Sequence, residues 1–129
     1  MKVVFNKVIP FKGWVVINLF GILFVRGEKR DLSQRLVNHE SIHTAQMREL
    51  LFIVFYAWYV VEWLFRLLFA LITLYRAESG KVGKHFYQTY LDISFEKEAY
   101  NNQDNFEYLA NRRHFAFLSE LINKNSKEQ

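Results

Sequence analysis

The chain has 129 residues, the size of one domain with one core, and its 51% apolar and 18% aromatic content, including 13 Phe and 7 Tyr, excludes disorder. It has no cysteine, so disulfides, thiolate nucleophiles and Cys-ligated zinc are excluded, and any metal must be held by His, Asp or Glu. The formal charge of +4 is scattered, without a basic stripe or a known reader motif, which argues against nucleic acid and leaves a mild attraction to anionic lipid.

The opening stretch MKVVFNKVIPFKGW is interrupted by Asn6, Lys7, Pro10 and Lys12, and no small-residue cleavage site follows. It reads as no signal peptide, which points to a membrane-associated or cytoplasmic protein rather than a secreted one. Residues 3–9 and 14–25 are β-branched and aromatic runs separated by Pro10, Lys12 and Gly13, so a β-hairpin is expected within 1–30. The second run is almost wholly apolar and should be covered on both faces, with Gly21 marking a bulge or a close backbone approach.

A helix is expected over 31–50, capped by Asp31 or Ser33, with Leu32, Leu36, Met47 and Leu50 on the side that also carries His39 and His43. Residues 50–76 form a hydrophobic helical segment, one helix or a helical hairpin; its run 50–75 is broken only by Glu62 and Arg66, and its end is marked by Arg76, Glu78, Gly80 and Gly83. A Tyr-rich stretch follows. Within 92–122 two helices are expected: a short one through ISFEKEAYNN, started by Asp92 or Ser94, and a last one running to Leu121 from a capping box of Asp104 and Glu107. The tail 123–129 is polar. The expected fold is therefore α+β and mostly helical, a single minimal domain over 1–129 in which the N-terminal hairpin packs on the 31–50 helix.

Chemistry concentrates at His39-Glu40-Ser41-Ile42-His43, an HExxH motif. On a helix, residues four apart project from one face a turn apart, so the two imidazoles can share one ion. Glu40 sits about 100° round the helix, where it can reach the attacking water without ligating the metal. Two imidazoles and a carboxylate beside an apolar stripe would cost several kcal/mol if buried unpaired, and a cation satisfies both rings at once. A catalytic zinc takes three protein ligands and keeps a position for water, so a third must come from elsewhere. The candidates are Glu96 and Glu98, which point nearly opposite ways on a helix, so that only one of them can face the His pair. His85, Asp92 and His114 are weaker candidates.

These pieces, in this order, resemble the gluzincin group of zinc metallopeptidases, in which HExxH on one helix is completed by a Glu from a later helix. In the membrane-linked gluzincins the later helix reads E-x-x-A-D, and Glu96-Lys97-Glu98-Ala99-Tyr100 matches all but the last position. The resemblance implies one Zn2+ per chain held by His39, His43 and Glu96, with Glu98 the alternative third ligand. It implies Glu40 as the catalytic base of a peptidase. The family's Asp steadies a ligand His; Tyr100 stands in its place, one turn after Glu96, as a candidate to support the metal site or its transition state. His114, Tyr108 and Arg112 are further candidates to stabilise the oxyanion. Expected partners are a peptide or protein substrate, a membrane contact through 50–75, and a second copy of the chain. Strand 14–25 would offer an edge for an extended peptide. The competing expectation is a non-catalytic module, stapled by its metal or associated with a membrane.

Overall fold

The computed structural model describes residues 2–27, 31–77 and 82–122, with side chains over 2–27, 31–73 and 87–121. Residues 28–30, the 78–81 part of the expected loop, the tail 123–129 and the side chain of His85 lie outside the described residues. The fold is α+β: a small sheet at the N-terminus, packed on helices that include one long apolar member.

Three strands form the sheet, β1 (Lys2–Asn6), β2 (Val16–Leu19) and β3 (Ile22–Arg26), in the order β1-β3-β2. A β-hairpin is formed within 1–30, but between β2 and β3 rather than between 3–9 and 14–25. The 14–25 run folds on itself instead, with Val16 opposite Val25 and Leu19 opposite Ile22, and β1 pairs parallel with β3 from Lys2↔Ile22 to Asn6↔Arg26. Two local causes are visible. Phe20 and Gly21 hold φ of 53° and 76°, the left-handed pair that a two-residue hairpin turn requires. Asn6 ends β1 early, because its Oδ1 accepts from the amides of Val8 at 2.9 Å and Ile9 at 2.6 Å and so diverts them from a ladder. Gly21 also makes a close approach, since a Cβ there would lie 3.2 Å from Thr44 Cγ2.

Helix α1 (Gln34–Glu49) starts at Ser33, whose Oγ accepts from the amide of Leu36 at 3.2 Å, so Ser33 rather than Asp31 is the cap. It stops where Leu51 and Phe52 turn left-handed, with φ of 51° and 56°. Helix α2 (Ile53–Ala77) is one unbroken rod, not a hairpin. Helix α3 (Val82–Leu91) occupies the Tyr-rich stretch for which no helix was expected, and α4 (Ser94–Asn102) is the short acidic one. The expected last helix is two, α5 (Tyr108–Asn111) and α6 (Phe117–Ile122). Asp104 does not cap it: its carboxylate pairs with Arg35 at 3.2 Å. The break falls where Arg112 turns to extended backbone and its guanidinium reaches Glu98 and Glu49, contacts no local pattern reveals.

The core is aromatic. Phe95 of α4 lies between Phe55 of α2 and Phe117 of α6, at ring distances of 4.6 and 4.5 Å, with Met47 and Ile93 in the same cluster. On the sheet side, Leu23, Val25 and Ile42 are fully buried.

Candidate metal centre

Helix α1 buries a mostly polar face. Of its eight buried residues, only Ile42 and Met47 are apolar; the others are Asn38, His39, Glu40, His43, Thr44 and Gln46. A helix gains little from the hydrophobic effect this way, so each polar group needs a partner. Asn38 donates to the carbonyls of Asn102, Gln103 and Asn105, which ties α1 to the end of α4. Thr44 Oγ1 donates to the Glu40 carbonyl at 3.0 Å, and Asn18 of β2 donates to that same carbonyl at 2.7 Å, fixing the sheet against the motif.

His39 and His43 present their Nε2 atoms 3.1 Å apart. Glu96, from the first turn of α4, brings one carboxylate oxygen to 3.6 Å from His39 Nε2 and the other to 3.4 Å from His43 Nε2. One ligand atom from each residue can be chosen so that all lie within 4.8 Å of one another, and all three residues are buried. A tetrahedral centre with ligands at about 2.0–2.1 Å has edges of about 3.3 Å, close to the 3.1 Å between the two nitrogens and to the distance from each nitrogen to its own nearer Glu96 oxygen. Among the described residues, the buried atoms His39 Nδ1 and Glu96 Oε2 have no hydrogen-bond partner. The His39, His43 and Glu96 group can thus hold a metal ion.

In the metal-free chain the three groups compensate one another. Burial pulls the His43 imidazole down, but the Glu96 carboxylate beside it outweighs this and lifts its pKa to about 9. Burial pushes the Glu96 carboxyl up, and the two imidazoles hold it well below the usual carboxylate range. Tyr59 donates its hydroxyl to Glu96 Oε1 at 2.9 Å. Tyr90 is a second phenol beside Glu96; burial and that carboxylate keep it neutral far above ordinary phenol titration.

Glu40 lines the same cleft as the His pair and Glu96, a cavity of about 420 Å³ walled by Phe11, Trp14, Val16 and Phe55 among others. Tyr100 lies against the edge of His39, with ring centres 4.6 Å apart. Glu98 faces the other way: Tyr108 donates to it at 3.0 Å and Arg112 holds it with two nitrogens. Tyr108 and Arg112 are thereby engaged away from the cleft. His114 is exposed and meets Glu49 Oε1 at 3.2 Å. Asp92 accepts from Gln88 at 3.1 Å. Gln46, Tyr59, Tyr90 and Asn18 belong to the site or its support and carry no motif; Gln46 alone had a signal, standing three residues after His43 on one helix face.

Comparison with protein-family models, with curated proteins and with solved structures gave no match.

Proposed function

We propose that the protein is a zinc-dependent peptidase working at a membrane surface. The observation that carries the reading is the convergence of buried His39, His43 and Glu96, close enough to share one cation, in a cleft that Glu40 also lines. When bound, zinc would supply Lewis acidity to the attacking water and to the scissile carbonyl. His39, His43 and Glu96 would hold it, and Tyr59 keeps Glu96 in place. Glu40 takes a proton from the water as its oxygen bonds to the carbonyl carbon, then delivers that proton to the nitrogen as the C–N bond breaks. The apolar walls select apolar side chains and exclude water. Strand β2 lies at the sheet edge and lines the cleft, so an extended peptide can pair along it.

Helix α2 supports the membrane part. Its segment Ile53–Thr73 is 21 residues long, with a mean hydropathy of 1.6, long and apolar enough to cross a membrane. Its outward positions, including Val54, Val61, Phe65, Leu68 and Phe69, are apolar, whereas Glu62 turns inward. That inverts the polarity of a helix on an aqueous surface and suits lipid.

The test is metal content of the purified chain, followed by hydrolysis of apolar peptides by wild type and Glu40→Gln. One equivalent of zinc with cleavage lost in Glu40→Gln is expected. Zinc without Glu40-dependent cleavage would favour a non-catalytic, metal-stapled module, and no stoichiometric metal would end both readings.

A further inference from the structure

The ring of His43 is held from behind by its own helix. His43 Nδ1 lies 2.8 Å from Gln46 Oε1, and both residues are buried. The orientation of the Gln46 amide is settled by its other end: Nε2 lies 3.1 Å from the Phe95 carbonyl and 3.1 Å from Glu98 Oε2, and both are acceptors. The oxygen therefore faces His43, so Nδ1 must carry the proton and donate. Nε2, facing Glu96 and His39, is then the nitrogen left for a cation.

Behind Gln46 the chain of contacts continues. Glu98 is nearly wholly buried and is fixed by Tyr108 and by Arg112, which also donates to Glu49 at 2.6 Å. A buried carboxylate held on this many sides is a rigid anchor, and Gln46 Nε2 is pinned to it. Among the described residues His39 has no comparable support: its Nδ1 lacks a partner there, and its ring rests on Tyr100.

We propose that Gln46 is the positioning residue of the metal centre. It is locked to Glu98 and the Phe95 carbonyl and sets the tautomer and angle of His43. Glu98 thus serves as the anchor of Gln46 while Glu96 ligates. This rests on the reading of His39, His43 and Glu96 as a cation site, and it adds that the affinity of that site is set from position 46. Loss of such an outer hydrogen bond to a ligand imidazole weakens metal binding about 10- to 100-fold.

The experiment is competition for zinc against a chelator by wild type and Gln46→Met, which keeps the length of the side chain and removes its hydrogen bonds. Helix content is recorded in parallel. We expect one equivalent bound in both, with Gln46→Met weaker by about 10- to 100-fold at unchanged helix content. The cobalt-loaded variant should show an altered absorption spectrum, which a merely structural role would not produce. Equal affinity and an equal spectrum overturn the proposal. Wild type that binds no cation overturns the underlying site, a result distinct from failure of Gln46 alone. If Gln46→Met does not fold, long-range 1H–15N spectra of zinc-loaded wild type decide: an Nδ1 proton on His43 protected from exchange supports the role, and a rapidly exchanging one overturns it.

Discussion

Glu62, in the middle of the apolar helix α2, caps helix α4 through Ser94: its carboxylate accepts from the Ser94 amide at 2.8 Å and from the Ser94 hydroxyl at 2.6 Å. Helix α4 has no capping side chain of its own, because its cap position is Ile93. A negative charge borrowed from another helix satisfies the first amide and complements the positive end of the helix dipole. Arg66, one turn along α2, donates to the same carboxylate at 2.6 and 2.9 Å and balances it. Glu96 lies two residues beyond Ser94, so this contact helps fix the rotation that points Glu96 rather than Glu98 at the His pair.

Removing the carboxylate should therefore loosen α4 and the metal centre together. Glu62→Ala leaves Ser94 without its acceptor and Arg66 half-buried without its counter-charge. The expected loss is about 2–4 kcal/mol of stability, below the full value for a buried pair because Arg66 is partly exposed. Glu62→Gln keeps an acceptor for the Ser94 amide and should lose less. Denaturant unfolding of the metal-free proteins in mild detergent measures the cost. Equal stability of Glu62→Ala and wild type would show that α4 does not depend on this cap.

Much of this was legible in the sequence, and what was not has physical causes. HExxH places His39 and His43 by local geometry alone, and a cap at Asp31 or Ser33 marks the start of α1, whereas of the expected stripe Leu32, Leu36, Met47 and Leu50 only Met47 is buried. The E-x-x-A register favours Glu96 over Glu98; the structure puts Glu96 beside the imidazoles and commits Glu98 to Arg112. The errors lie where side chains override backbone preference. Asn6 captures the amides that would have extended β1, and Phe20 takes a left-handed conformation that an aromatic residue rarely adopts. Glu62 and Arg66 do pair at i, i+4, but the spacing could not reveal that the pair turns inward onto Ser94. The split between α5 and α6 depends on Arg112 reaching Glu49, 63 residues away in the chain.

The outer face of α2 makes a separate prediction. The 21 residues of Ile53–Thr73 span about 31 Å, close to the hydrocarbon thickness of a bilayer of about 30 Å. Phe65 is 69% exposed and Phe69 71%, so charges there break no internal contact of consequence. Wild type should float with vesicles containing anionic lipid, and Phe65→Glu combined with Phe69→Glu should shift it to the aqueous fraction. A charge at mid-helix opposes insertion by about 2.5–3.5 kcal/mol per residue, enough to reverse a modest partition. The double variant should bind zinc as wild type does. Wild type that stays monomeric in water without vesicles or detergent would refute the lipid assignment, and a stable dimer there would assign the face to a second copy.

The last prediction concerns protons. In the metal-free chain His43 titrates at about 9 against an ordinary 6.5, so at neutral pH it is protonated and paired with Glu96. A folded-state pKa above the unfolded one means that the stability His43 contributes is fully present below pH 6.5 and is lost as pH rises through about 9. Glu96 has the opposite sign: its carboxyl is held below the ordinary 4.5, so its contribution is present above that pH and is lost on acidification. The metal-free protein should accordingly be less stable at pH 9.5 than at pH 6. A cation can take Nε2 of His43 only after the proton leaves, so zinc uptake at pH 7 should release about one proton from this residue. Apparent affinity should then rise about tenfold per pH unit from 7 to 8 and flatten near 9. Calorimetric titration in buffers of different ionisation enthalpy counts the protons, and chelator competition across the same range gives the slope. Uptake that releases no proton, at an affinity flat between pH 7 and 8, would place the cation elsewhere than between His43 and Glu96.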